Sequence, residues 1–319
     1  MAPPSVSDSS IDELLAAAQS GDRASLARLI TTAERGGNGA RSTARATMSQ
    51  TGSGYTLGIT GSPGAGKSTL TNALCGAIRQ RGESVGVLAV DPSSPYSGGA
   101  ILGDRVRMSD HSTDDGVYIR SMATRGHLGG LSVATPQAVR VLDAVGFSWI
   151  LIETVGVGQV EVEVAGAADT VVVVVNPGWG DAVQANKAGL MEIADVFVIN
   201  KSDRPGSGDT YRDLEQMMSL TGRTGWRPPI VSTVAPSGQG VPELLDAIDG
   251  HRTHISSTGE LHERRRSRAA AELRAIMSAE LLRRLTSDAH HDRFAELVDD
   301  ISERRIDPWS AASELLPPD

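Results

Sequence analysis

Gly61-Ser62-Pro63-Gly64-Ala65-Gly66-Lys67-Ser68-Thr69 lies between an apolar run, Tyr55–Ile59, and an amphipathic stretch near 67–81. The first eight residues fit the pattern Gly-x4-Gly-Lys-Ser/Thr, a phosphate-binding loop that joins a strand to a helix. In such a loop the backbone N–H groups and the helix N-terminus point at anionic oxygens. Lys67 is expected to reach the β- and γ-phosphates of a nucleotide, and Ser68 to ligate Mg²⁺. The plainer alternative is a Gly-rich turn ahead of a helix. The complete match in the right strand–helix setting favours the phosphate loop.

Outward from this loop, short apolar runs alternate with amphipathic stretches. The runs are Tyr55–Ile59, Val85–Val90, Trp149–Ile152, Thr170–Val175, Val196–Ile199 and Pro229–Ser232. Helical patterns fall near 67–81, 131–145, 181–193, 209–219 and 241–251. Val171 to Val175 are consecutive valines, which suits a strand buried on both faces. Strand–helix alternation implies an α/β fold with a mostly parallel central sheet, here a P-loop NTPase domain over residues 55–255.

The flanks differ. Ser10 and Glu13 have capping-box spacing, and Ile11, Leu14 and Leu15 share a helical face. After Gly21-Asp22, residues Leu26, Leu29 and Ile30 form a second apolar face, so a short helical hairpin is expected. Gly36 to Gly54, rich in Gly, Ser, Thr and Arg, reads as a linker, and residues 1–54 as an N-terminal extension. From about Ser256 no strand pattern remains. Glu260–Leu285 carries Leu273, Ile276, Met277 and Leu281 at helical spacing, with further helices expected over Asp288–Glu303 and from Pro308. Residues 256–319 therefore read as a helical arm.

Composition narrows the possibilities. The chain has 319 residues, 39% hydrophobic but only 3% aromatic, so its core must be aliphatic. A net charge of -9 argues against a general nucleic-acid or anionic-membrane surface. No apolar run approaches the roughly 20 residues that span a bilayer. The start of the chain lacks a charged-then-apolar leader pattern, so a cytoplasmic protein is expected. Cys75 is the single cysteine, which rules out an intrachain disulfide. Of 30 basic residues only Lys67, Lys187 and Lys201 are lysines. A chain this biased keeps lysine where a compact ammonium fits and a guanidinium does not.

Asn200-Lys201-Ser202-Asp203 directly follows the run Val196–Ile199. An Asn-Lys-x-Asp group after a strand, downstream of a phosphate loop, is a guanine reader. Asp203 would accept hydrogen bonds from the ring N1–H and the exocyclic amine, which adenine does not offer in that place. The stem of Lys201 would lie along the base. A site built on such bonds discriminates by about 10⁴ or more. Thr233-Val234-Ala235 follows the last strand, and its backbone amides are expected to face the guanine oxygen. The ligands implied are GTP and GDP.

Three carboxylates fall on the phosphate side. Asp91 ends the run Val85–Val90, Asp104 lies in the following loop, and Glu153 ends Trp149–Ile152. With Ser68 they are candidate Mg²⁺ ligands, and with Lys67 the candidate catalytic set. The plainer readings are an Asx turn before Pro92 for Asp91 and a solvated loop charge for Asp104. Gly156 is followed by Val157, so no glutamine stands where a water-positioning one is common; Gln159 comes two residues later. No arginine is an obvious finger. Slow intrinsic hydrolysis, accelerated by a partner, is expected.

Pro177 to Lys187 (PGWGDAVQANK) runs from the five-valine strand into a helix. It reads as a nucleotide-sensing loop, or as an ordinary strand-to-helix turn with Asp181 as N-cap. Trp179 there suits either an exposed protein contact or inward packing.

Together these residues resemble one family. The phosphate loop, DPSSP (91–95), GDRVRM (103–108), HLGGL (127–131), ETVGVGQVEVEVA (153–165), GDAVQANKAGLMEIAD (180–195) and NKSD (200–203) are similar to the MeaB/ArgK-type P-loop GTPases. These are bacterial relatives of the human methylmalonic aciduria type A protein. The resemblance implies a GTPase chaperone of adenosylcobalamin-dependent methylmalonyl-CoA mutase or a related acyl-CoA mutase. Such a protein gates cofactor delivery from a cobalamin adenosyltransferase and protects or reactivates the mutase. It also implies a homodimer joined through the helical arm. The region that couples nucleotide to partner would comprise Gly156, Gln159, Trp179, Asp181, Gln184 and Lys187. Two positions depart from the pattern: Trp179, where a small residue is expected, and Val160, where Ser is common. No cobalamin-binding motif is visible. A GTPase metallochaperone is the alternative, but it generally needs a Cys/His relay. His290 and His291 point about 100° apart on a helix and are poor co-ligands.

Overall fold

The computed structural model describes residues 8–92, 111, 113–124, 130–154, 166–179, 184–220, 225–285 and 288–315. The chain divides into two compact units, Met1–Arg268 and Ala269–Asp319. The expected N-terminal extension is part of the first unit, and the expected start of the arm at 256 falls ahead of the division.

The first unit opens with three helices, α1 (Asp8–Gln19), α2 (Arg23–Glu34) and α3 (Gly37–Met48). Asp22 caps α2 by accepting from the N–H groups of Ala24 and Ser25. Helix α3 replaces the linker read from the sequence. Its Gly, Ser and Thr content hides a helical face: Ala40, Thr43 and Thr47 are buried. The Thr43 and Thr47 hydroxyls donate to carbonyls four residues back, which satisfies both groups where the residues are buried.

The alternating region follows: β1 (Tyr55–Gly61), α4 (Lys67–Gln80), β2 (Val85–Pro92), β3 (Val117–Thr124), α5 (Gly130–Val145), β4 (Trp149–Thr154), β5 (Thr170–Val175), α6 (Gln184–Ile193), β6 (Val196–Asn200), α7 (Ser207–Leu220) and β7 (Ile230–Thr233). A short 3₁₀ turn, Ala235–Ser237, leads to α8 (Val241–Thr258). The seven strands form one sheet in the order β3-β2-β4-β1-β5-β6-β7. All its pairings are parallel. Strand β3 is an addition to the six expected runs. It sits at the edge, where Val117, Tyr118 and Met122 are buried and Arg120 pairs with Glu34 of α2 at 2.7 Å. An edge strand of this kind lacks a continuous apolar run.

Each sheet face has its own cover. On one face Leu57, Ile59, Val172, Val174 and Val198 pack with Leu70, Leu74 and Ile78 of α4 and Leu244, Leu245 and Ile248 of α8. On the other, Val171, Val173 and Val175 join Leu190 and Met191 of α6 and Leu214 of α7. The valines of β5 thus alternate between two cores, as five in a row require. The N-terminal helices add a layer: Ile11, Leu15, Leu26, Leu29 and Ile30 pack with Ala138, Val141 and Leu142 of α5.

Helix α9 (Glu260–Leu285) starts in the first unit and continues into the second, which also holds α10 (Asp288–Ser302) and α11 (Pro308–Leu315). Three arginines fix its start to the N-terminal edge of the sheet. Arg265 and Arg268 bind the buried Asp169 carboxylate, which also accepts from Thr56 N at 3.0 Å. Arg264 grips Asp195 with both terminal nitrogens, at 2.8 and 2.9 Å. Asp169 and Asp195 directly precede the neighbouring strands β5 and β6. Burial alone would raise both carboxyl pKa values, but arginine partners, with His251 beside Asp195, hold them below the usual range. No helix among the described residues is long and apolar enough to cross a membrane.

Candidate functional site

Strand β1 lies between β4 and β5, so the chain leaves it in one direction and later returns on its other side. The crevice at the carboxyl end of such a strand is where open parallel sheets bind ligands. Gly61 ends β1 there, and Lys67 opens α4.

Two glycines are dictated by this geometry. Gly61 has φ 129°, and a Cβ on it would lie 2.0 Å from the Val174 carbonyl oxygen. Gly66, the N-cap of α4, has φ 90°, and a Cβ there would come 2.5 Å from the Asn200 side-chain nitrogen. Only glycine lets the loop lie this close to both neighbours. No side chain caps α4 at Gly66, so its first N–H groups are left to an anion. Lys67 is 6% exposed, and its ammonium donates to Gly61 O at 2.8 Å and Ser62 O at 3.0 Å. The positive charge is therefore held at the loop itself.

Asn200, at the end of β6, joins the second motif to the first. Its amide donates to Ala65 O at 2.8 Å, while its carbonyl oxygen accepts from Thr233 Oγ1 at 3.1 Å and Ala235 N at 3.2 Å. Lys201, with φ 59°, sends its ammonium to Gly64 O at 2.6 Å. Its stem consequently spans the space between the two loops. Asp203 is exposed. The amides expected to face a guanine oxygen are already engaged: Val234 N donates to Gln239 O at 3.0 Å, and Ala235 N to Asn200. Thr233 Oγ1 and Ala235 N hold Asn200 in place, and Val234 N is tied to Gln239.

Glu153, one residue before the end of β4, is 4% exposed. Ser68 Oγ donates to its Oε1 at 2.5 Å, so the two meet beside the phosphate loop. Thr154 Oγ1 donates to Thr60 Oγ1 at 3.1 Å and ties the same strand end to β1. Sequence reading missed Thr60, whose only signal is its place just before the loop. Asp91 lies at the end of β2, the neighbour of β4, but its side chain falls outside the described residues. Asp104, Gly156, Gln159 and Asp181 also fall outside them. Gln184 and Lys187 lie in the first turn of α6, with side chains outside the description. Trp179 packs inward, 6% exposed, within the β5–α6–α7 core. Cys75 is fully buried on α4, and burial pushes its thiol up to about 12.

Fold and loop geometry define a P-loop NTPase. Residues 26–290 match the family model "Methylmalonyl Co-A mutase-associated GTPase MeaB", and the chain belongs to this family of GTPases. It is 50% identical to a Pyrococcus abyssi protein that carries a GTPase name, over 96% of each chain. It is 35% identical to GTPase ArgK of Escherichia coli, over 91% of this chain and 90% of that one. The solved structure of an LAO/AO transport system kinase superposes with a TM-score of 0.71 at 26% identity, covering 98% of both chains.

Proposed function

We propose that this GTPase is a chaperone of adenosylcobalamin-dependent methylmalonyl-CoA mutase, gating cofactor loading, protection or reactivation. Family membership, in a family named for its association with that mutase, is the observation that carries the partner. The joint between Asn200 and the phosphate loop supports the choice of nucleotide, because it fixes a base-reading loop relative to the triphosphate cradle.

In this reading the amides of Gly61 to Thr69 and the Lys67 ammonium bind the phosphates. Asn200, Lys201 and Asp203 select guanine, with Thr233 and Ala235 holding Asn200 and Val234 tied to Gln239 beside them. Ser68 and Glu153 are hard oxygen donors within 2.5 Å of each other, a donor set that fits Mg²⁺. With Asp91 and Asp104 they would hold the ion, which when bound neutralises charge on phosphate oxygens. Gly156, Gln159, Trp179, Asp181, Gln184 and Lys187 relay nucleotide state to the mutase, in functional sequence with a cobalamin adenosyltransferase. The second unit joins two copies in a homodimer through the exposed Leu273, Ile276, Met277, Leu281 and Leu282. The metallochaperone alternative gains nothing from Cys75, whose buried, protonated thiol is a poor ligand.

The test is GTP turnover of the purified protein, alone and with the mutase. A slow basal rate raised strongly by the mutase supports the reading. An unchanged rate removes this mutase as the partner and turns attention to other acyl-CoA mutases.

A further inference from the structure

We propose that Trp179 is a positioning residue for the guanine-reading loop; this rests on the reading of Asn200 to Asp203 given above. The turn after β5 is built from Asn176, Pro177 and Gly178, none of which is buried. Gly178 has φ 85°, Trp179 N donates to Asn176 O at 3.1 Å, and the Asn176 amide donates to Pro177 O at 3.1 Å. These bonds close the turn on itself. They do not attach it to the rest of the molecule.

The indole provides that attachment. It is buried in the core that contains Val175 of β5, Phe197 and Ile199 of β6, Leu190 and Met191 of α6, and Leu214 of α7. A buried Trp removes about 150–250 Å² from water, far more than any other side chain of this turn. The same core also holds Ile199, directly before the base-reading loop, and Leu214 of α7, the helix that follows it. Gly206 has φ 89°, and a Cβ built on it would lie 3.9 Å from both Gly178 N and Pro177 Cβ. Gly206 in turn starts α7, accepting from Thr210 N at 3.0 Å.

Asp203 is thereby held from two sides. On one, Asn200 bonds to the phosphate loop and Ser202 N donates to Thr233 O at 3.1 Å. On the other, Gly206 leads into α7, whose Leu214 packs in the core that Trp179 fills. Between these anchors Asp203 is exposed. Its carboxylate can read a base only if the loop is fixed at both ends. A displacement of about 1 Å at a hydrogen-bonding group costs on the order of 10²-fold in function, so even a partial release of one anchor is measurable.

The test uses the full-length protein, with GDP release followed by a fluorescent GDP analogue and selectivity measured with GTP against ITP, which lacks the exocyclic amine. Trp179→Ala is expected to speed GDP release and reduce the preference for GTP over ITP, each by about tenfold. KM for GTP should rise with kcat within about twofold, because the phosphate loop keeps its own anchors. Trp179→Phe should restore most of both properties. Leu29→Ala, an equally buried deletion in the N-terminal layer, should lower thermal stability without changing either. Where Trp179→Ala does not fold, Trp179→Leu takes its place. The emission of the wild type minus that of Trp179→Phe should also shift on GDP binding. Wild-type GDP release and base preference in the Ala or Leu variant overturn the proposal. So does failure of Phe to rescue, an equal effect of Leu29→Ala, or a silent difference spectrum. A wild-type protein that does not bind GDP would instead defeat the guanine reading on which the proposal rests.

Discussion

The side-chain amide of Asn200 donates to the carbonyl oxygen of Ala65 over 2.8 Å, so the loop that ends β6 and the loop that ends β1 share a buried hydrogen bond. The same side chain accepts from Thr233 and Ala235. Asn200→Ala would strip partners from three buried groups at once. Each orphaned group costs about 1–3 kcal/mol. We expect guanine nucleotide affinity to fall by on the order of 100-fold, measured by titration with a fluorescent GDP analogue, while circular dichroism stays that of the wild type.

Lys67 is the one lysine within the phosphate-loop sequence, in a chain that uses arginine nearly everywhere else. Its ammonium sits within 3.0 Å of two loop carbonyls. A guanidinium is too broad for that position. Lys67→Arg should therefore lose GTP turnover almost as fully as Lys67→Ala, by about 10²-fold or more in phosphate release. An arginine variant with near-normal turnover would contradict this.

Gly61→Ala should abolish nucleotide binding without unfolding the sheet. The added Cβ would sit 2.0 Å from the Val174 oxygen, at a φ of 129° that alanine rarely adopts. The loop must move to accommodate it. Isothermal titration with GDP, beside thermal melts of the empty protein, reads the two effects separately.

The carboxylates beneath β5 and β6 predict an acid limb. Asp169 and Asp195 have folded-state pKa values below the ordinary value of 3.8. Their ionised forms therefore stabilise the fold fully above that value, and the contribution is lost as pH falls through the lowered values. Asp169→Asn should cost roughly 3 kcal/mol at neutral pH and flatten the decline below about pH 4. Urea denaturation across pH measures both.

Truncation separates two roles of α9. A chain ending at Arg268 keeps the three arginines and should remain a folded GTPase. A chain ending at residue 255 loses them, leaves two buried carboxylates without their arginines, and should unfold or precipitate. If the second unit joins two copies, the chain ending at Arg268 should be monomeric by light scattering. A dimer of unchanged mass would remove that role from residues 269–319.

Much of this was legible in the sequence because it is local. The phosphate loop is nine contiguous residues, and Val171–Val175 announces a doubly buried strand without reference to anything else. The guanine motif is four residues in a row. What escaped depended on distant partners. Gly37–Met48 is helical because its Ala and Thr positions meet α2 and α5, not because its residues favour helix. Strand β3 is held by register with β2. Asp169 and Asp195 each follow an alanine and precede a strand, a repeated pattern visible in the sequence. Yet nothing there says that arginines 264, 265 and 268 will meet them.

The lone thiol, Cys75, is sealed in the core and stays protonated at any working pH. Maleimide and iodoacetamide dyes attack thiolates, so the native chain should remain almost unlabelled. A cysteine introduced at an exposed site such as Ser237 or Thr253 would then be the sole point of attachment. Distances between chosen positions become accessible to energy transfer or spin labels without first removing a native residue.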